Sequence, residues 1–351
     1  MKGISEEHLR AKHSEEAEEL RRMLAEKDAI LTSYRKEHGK LQVFFDSVKN
    51  QIKPLTPLKP AVIKKASGSP IVPVAHITDT HMGAVQHPHE IEGFNAFDPG
   101  ICEKRSIDYI QKFIGWVEMH RTAYNIRECV VLMTGDLISG DIHDELKITN
   151  AFPSPVQVVK AAQLHAHQIG LLAAHFDKVT VEFISEDNHS RLTKKPQAKE
   201  AGYNSMNYLV GILCQTYLLE HKNVDFRIHP MLEKVVDVNG RKYLVCHGHN
   251  VKGWMGVPWY GIERKVGKEA QSRLQLMMQE VSIERAKDIG FHKYVFGHFH
   301  TAFDSHLYTC GASLSGTDAY DHQAGRYSPP GQSAWMVHPK HGEFNRINFW
   351  L

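Results

Sequence analysis

Residues 71–83 read IVPVAHITDTHMG, an apolar run that stops abruptly on Asp79-Thr80-His81. Four more runs farther along have the same build. CVVLMT (129–134) ends in Gly135-Asp136, and KVTVEFIS (178–185) leads to Asp187-Asn188-His189. KYLVC (242–246) ends in His247-Gly248-His249, and KYVF (293–296) in Gly297-His298-Phe299-His300. Amphipathic stretches over 103–122, 156–176, 204–220 and 268–289 separate the runs and predict helices. Short apolar runs between helices predict strands buried on both faces, hence an α/β domain. From Tyr308 to Leu351, Gly and Pro punctuate short pieces such as SAWMVH and RINFWL, which predicts a β-rich closing segment.

Outside this block the chain changes character. Residues 1–52 mix acidic and basic side chains, and Leu20, Leu24, Leu31, Tyr34, Leu41, Phe45 and Val48 follow an imperfect heptad. The expectation is a helical, coiled-coil-like extension, either a solvated arm or an oligomerisation element that makes the protein a homo-oligomer. Residues 53–70, KPLTPLKPAVIKKASGSP, read as a Pro-rich linker, with the main domain spanning 71–351.

Composition excludes several classes. The 351 residues carry 42 Lys+Arg against 40 Asp+Glu, a net charge of +2, so no bulk polycation grips nucleic acid. No apolar run approaches the roughly 20 residues of a membrane span, so no membrane association is expected. The first twenty residues lack the apolar core of a secretory signal. The five cysteines are scattered without a CxxC, which points away from a disulfide scaffold and towards a reducing, cytoplasmic setting.

The strand ends carry the chemistry. In open α/β folds, ligands bind beyond the carboxyl ends of the strands. Five consecutive ends deliver Asp, His and Asn to that edge. Residues i and i+2 of an extended segment face the same way, so Asp79 and His81 can reach one ion, and His298 and His300 one pocket. Carboxylate, imidazole and amide together suit hard to borderline divalent metals, not a thiolate site. Neither His-x-His motif continues with the Asp that metallo-β-lactamase-like hydrolases need, and no His-Glu-x-x-His is present.

The order Asp-x-His, Gly-Asp, Asn-His, His, Gly-His-x-His resembles the calcineurin-like metallophosphoesterase superfamily over about residues 71–305. The resemblance implies a four-layer αββα sandwich of two mixed sheets, here with an N-terminal helical extension. It implies phosphoester hydrolysis at two divalent metal ions, with Mn²⁺ expected first and Mg²⁺, Fe²⁺ or Zn²⁺ as alternatives. Asp79, His81, Asp136 and His300 would hold the first metal. Asp136 would bridge, and Asn188, His247 and His298 would complete the second. His189 would assist the leaving group. The family usually has Gly where Asp187 stands, so this carboxylate could act as an extra ligand or impair the centre.

Substrate is a separate question. Arg191 is a candidate phosphate contact. Trp254, Trp259 and Tyr260, interleaved with Lys252, Arg264, Lys265 and Lys268, predict an aromatic–basic loop suited to bases and phosphates. The loop resembles that of phage and prophage metallophosphoesterases of the DNA-repair exonuclease type, which implies a DNA nuclease of prokaryotic or phage origin. The alternatives are a phosphodiesterase for nucleotides or cyclic nucleotides, a protein phosphatase, and an impaired metal-binding assembly protein. Residues 313–332 read as a polar flap near the metals or as plain surface loop.

Overall fold

A computed structural model describes residues 18, 22, 24–29, 32, 52–62, 68–252, 256–279, 282, 286 and 288–351. The chain divides into two compact units, Met1–Lys53 and Pro54–Leu351. In the first, the described residues 24–29 are helical and exposed. Most of the expected heptad seam, including Leu20, Leu31, Tyr34, Leu41, Phe45 and Val48, lies outside the described residues.

The second unit holds two mixed sheets. The larger has the order β11-β10-β1-β2-β3-β4. Strands β1 (Val72–Ile77), β2 (Glu128–Met133), β3 (Lys178–Ile184) and β4 (Val224–His229) run parallel. The β10–β11 hairpin (Gly331–His338, Gly342–Trp350) is added antiparallel beside β1. The smaller sheet has the order β5-β6-β7-β9-β8. Its members are β5 (Glu233–Val238), β6 (Arg241–Cys246), β7 (Lys293–Phe296), β8 (Phe303–Asp304) and β9 (Tyr308–Cys310). The pairs β6/β7 and β7/β9 are parallel.

Alternation explains why the strands read as unbroken apolar runs. Val74, Val130, Leu132 and Ile184 of the large sheet pack against Val236, Tyr243, Val245 and Val295 of the small one. Trp335 seals this seam, and its indole N–H donates to the Tyr243 hydroxyl at 3.0 Å. The other face of the large sheet is covered by α1 (Pro99–His120), α2 (Ser154–His175) and α3 (Met206–Tyr217). Tyr109 of α1 is fully buried, and its hydroxyl donates to the Ser333 carbonyl on β10. Across the small sheet, Ile262 and Val266 of α4 (Trp259–Gln279) pack on Leu244, Tyr294 and Phe296. The layers are therefore helix, sheet, sheet, helix, the order that the resemblance implies.

Helix starts follow local chemistry. Asp98 caps α1 by accepting from the Ile101 amide at 2.8 Å, with Pro99 in the first turn. Ser205 caps α3 through the Asn207 amide. The last long helix departs from expectation. It begins at Trp259, not near 268, so the segment read as an aromatic–basic loop is largely the first turns of α4. Pro258 just before it and the buried Ile262/Val266 pair set this earlier start. The proline-rich stretch ties back onto the helices: the Leu55 amide donates to the Tyr217 carbonyl and the Ala61 amide to that of Ala174. Among the described residues, no helix is long and apolar enough to cross a membrane.

Candidate metal centre

The carboxyl ends of β1, β2, β3, β6 and β7 converge. Each chain leaves its strand through an unusual backbone turn. Asp79, His81, Asp136, His298 and His300 all have positive φ, between 48° and 71°. They make up five of the nine non-glycine residues with that conformation among those described. Left-handed backbone costs energy in non-glycine residues and concentrates at functional sites. Here it aims successive side chains into one space. Glycine is required where space runs out. A Cβ on Gly297 would overlap the Thr78 hydroxyl and the Asp79 carboxylate. Gly135 has φ +99°, and a Cβ there would press on Asp187 and the His247 ring.

Two donor clusters result. Asp79, His81 and His300 form the first, and Asp136, His247 and His298 the second, with ligand atoms in each within 4.8 Å of one another. His81 Nε2 lies 3.0 Å from His300 Nε2, and both approach Asp79 Oδ1 at 3.9 and 3.7 Å. His247 Nε2 lies 3.0 Å from Asp136 Oδ2 and 2.9 Å from Asn188 Oδ1. Asp136 also groups with His81 and His189, so its carboxylate stands between the clusters.

Partners behind the rings fix their tautomers. His247 Nδ1 faces the Thr134 carbonyl at 2.8 Å, and His189 Nδ1 faces the Ser139 carbonyl at 2.7 Å. His300 Nδ1 faces the Asp321 carboxylate at 2.6 Å. These partners only accept, so each Nδ1 carries a hydrogen, and in the neutral ring each Nε2 turns a lone pair inward. Lone pairs converging at about 3 Å repel unless a proton or a cation lies between them. Donors that share one ion about 2.0–2.2 Å away sit about that far apart. The donor set therefore fits divalent metal ions.

Charge balance supports the same fit. Burial pushes His81 and His298 well below the usual imidazole range, with neighbouring histidines adding to the effect, so both are neutral donors. Burial would raise Asp136, but His247 outweighs it through charge and a hydrogen bond and holds the carboxyl well below its ordinary range. Burial also opposes charge on His247, yet Asp136, Asp79 and Asp187 bring it up to about 9. At His300 burial is outweighed by Asp321, Asp79 and Asp318, which bring it to about 10. Without an ion, the carboxylates recruit protons onto the very imidazoles that a metal would use.

The remaining expected residues divide. His189 stands at the edge, its Nε2 3.9 Å from Asp136 Oδ2 and its amide bonded to Asp136 Oδ1. Asp187 is not among the grouped donors. Its Oδ2 accepts the Asp136 amide at 2.9 Å, and its Oδ1 accepts the Ser190 amide and hydroxyl. Its φ is not positive, so this loop position does not need glycine, and the carboxylate splints the loop that carries Asn188. Arg191 does not reach freely into the site. Its guanidinium donates to the carbonyls of Asn188, Thr193 and Lys194, which occupies three of five N–H groups. It braces the loop, with two donors left.

Trp259 and Tyr260 sit on the first turn of α4, half and three-quarters exposed. Trp259 packs on Phe303 in a tilted arrangement, with ring centroids 4.5 Å apart. Arg264 is exposed on the same helix, whereas Lys265 is committed to Glu233 and Glu269. Trp254 lies outside the described residues. No described contact brings Trp259, Tyr260 or Arg264 to the donor clusters.

Three site residues escaped the sequence reading: Asp318, Asp321 and Arg326, all in the 313–332 segment. The Asp-x-x-Asp spacing is a capping signal, and Asp318 does cap a short helix, α5 (Ala319–Gln323), through the Asp321 amide. Nothing local announces that Asp321 reaches His300.

No family model matches the chain, and no curated protein sequence matches it. Among solved structures, it is similar to a single mutant of Vps29 from Entamoeba histolytica at 11% identity, covering 79% of this chain and 99% of that one, with a TM-score of 0.28. A double mutant of the same protein overlaps 80% of this chain at 11% identity and a TM-score of 0.28. The sulfate thiohydrolase SoxB of Thermus thermophilus overlaps 82% of this chain and 57% of its own at 10% identity, with a TM-score of 0.26. Overlaps this loose assign no residue and no activity. The class rests on the chain itself: a four-layer αββα protein with a His/Asp edge able to hold metal ions.

Proposed function

We propose that the protein is a metal-dependent phosphoesterase that cleaves phosphodiester bonds, with DNA as substrate. One observation carries this reading: Asp136 stands between two three-donor clusters, the arrangement a two-metal phosphoryl-transfer centre requires. When bound, two divalent ions, Mn²⁺ first among them, would supply charge to the phosphoryl oxygens and activate the attacking water. Asp79, His81, Asp136 and His300 would hold one, and Asp136, Asn188, His247 and His298 the other.

The chain's own residues supply the rest. His189 presents Nε2 at the open edge while Ser139 fixes its other nitrogen. It is placed to hydrogen-bond or protonate the leaving oxygen, a role worth about 10²–10⁴-fold. Arg191 has two guanidinium donors left for a phosphate oxygen. The splint from Asp187 keeps Asp136 and Asn188 in register. For DNA over a small ester, the support is the exposed Trp259 and Tyr260 beside Arg264, stacking faces next to a cation.

The test is incubation with Mn²⁺ and single- or double-stranded DNA. EDTA-sensitive cleavage is expected, with His189→Ala retaining both metals and losing about 10²–10⁴-fold in turnover. Intact DNA beside rapid hydrolysis of bis-p-nitrophenyl phosphate would replace DNA with a small phosphodiester. Inertness towards both, with metal bound, would remove the hydrolase reading.

A further inference from the structure

The first cluster has a support that the second lacks. Asp321, 1% exposed, divides its two oxygens between different partners. Oδ2 accepts from His300 Nδ1 at 2.6 Å, and Oδ1 accepts from Arg326 Nε at 2.8 Å and pairs with Nη2 at 2.6 Å. The Arg326–Asp321 pair would already be satisfied by itself. The third member is the unusual one, since it joins a segment 21 residues onward to a ring of the donor set.

That segment is pinned on several sides. Asn95 donates to the Ser315 and Thr317 carbonyls, and Arg105 to those of Leu314 and Ser315. Gln86 accepts the Ala319 amide, and Thr317 and Ser328 bond each other across the base of the segment. Gln86 and Asn95 belong to the loop that continues from His81. The place of Asp321 is thus set from the same loop that carries two of the three donors of the first cluster.

We propose that Asp321, held by Arg326, is a positioning residue that fixes the His300 ring with Nε2 towards the first metal and strengthens it as a donor. The inference rests on the metal-centre reading above. A carboxylate behind a ligating imidazole sets its tautomer and raises its basicity, and losing such a partner costs about 10–100-fold in metal affinity or activity. His247 and His189 lean on neutral carbonyls instead, so the 313–332 segment controls one centre and not the other.

The experiment is titration of the EDTA-treated full chain with Mn²⁺ by calorimetry, comparing wild type, Asp321→Ala and Asp321→Asn. Wild type should show two sites. Asp321→Ala should weaken one site about 10–100-fold and leave the other unchanged. Asp321→Asn, which keeps the shape and an acceptor but loses the charge, should fall between them. In the chain loaded with diamagnetic Zn²⁺, nitrogen NMR of the His300 ring should show the Nδ1–H form in wild type and a tautomer mixture in Asp321→Ala. A merely structural aspartate would weaken both sites together. Two sites of unchanged affinity in the variants would overturn the proposal and leave the metal centre standing. No metal uptake by wild type would overturn both. If Asp321→Ala does not fold, the asparagine variant and its ring tautomer decide.

Discussion

The two donor clusters are built from the same strand edge but held in different ways. The second is internal to the sheet ends. Asp136 leaves β2, Asn188 follows β3, His247 leaves β6, and the ring of His247 leans on Thr134 at the end of β2. Its outer prop, Asp187, lies one residue from Asn188. The first cluster takes Asp79 and His81 from β1 and His300 from beyond β7, and then depends on Asp321 from a distant segment. Its Asp79 carboxylate is also shared by the His298 amide and the Thr78 hydroxyl. One site is framed by rigid strands, the other by strands plus a strap. The strapped centre is therefore the one that a change outside the sheets can tune.

The strongest way to break this distinction is to remove the residue the clusters share. Asp136→Ala should weaken both centres together by more than about 100-fold each, because even partners behind a ligand are worth about 10–100-fold. Elemental analysis after dialysis should find neither metal. Retention of one full equivalent would show that Asp136 belongs to a single cluster.

Acidity separates the clusters next. Metal binding needs neutral imidazoles. Opposed by burial but dominated by their carboxylate neighbours, His247 and His300 are held at about 9 and about 10, so both are protonated at neutral pH without metal. Each ion must expel one proton, and affinity should rise about tenfold per pH unit. The rise should level off near pH 9 at the second centre and continue to near pH 10 at the first. Mn²⁺ titrations from pH 6 to 10 check this. Affinities independent of pH would contradict the protonation states.

The smallest effect is expected at Asp187. Changing it to Gly leaves the buried Asp136 and Ser190 amides without their partner, which costs about 1–3 kcal/mol of stability. Denaturant unfolding measures it. An unchanged midpoint with a large gain in turnover would make Asp187 a restraint on the second centre and not its splint.

Much of the site was legible because it is local. A strand that stops on Asp-x-His or Gly-His-x-His displays both its direction and its cargo within about ten residues. Alternation to two buried faces explains the unbroken apolar runs, so strand positions and the strand-end residues were readable together. Trp259 and Tyr260 misled because an aromatic–basic stretch looks the same as a loop or as a helix start. Only the packing of Ile262 and Val266 on the small sheet decides for the helix. Arg191 reads as a candidate phosphate contact, but the carbonyls that engage it come from a loop conformation that no residue pattern announces.

The chain's order of residues by itself determined which side chains reach the strand edge, since strand periodicity and chain direction are short-range properties. It also determined their chemical kind, and so their capacity to hold a metal ion. Tertiary structure alone decided that Asp136 lies between two clusters. It decided that Asp187 turns away to hold the Asp136 amide, and that Asp321 stands behind His300. These are relations between residues 21 to 219 positions apart. They exist only once two sheets have packed face to face around Trp335, a non-local event that brings the strand ends to one edge.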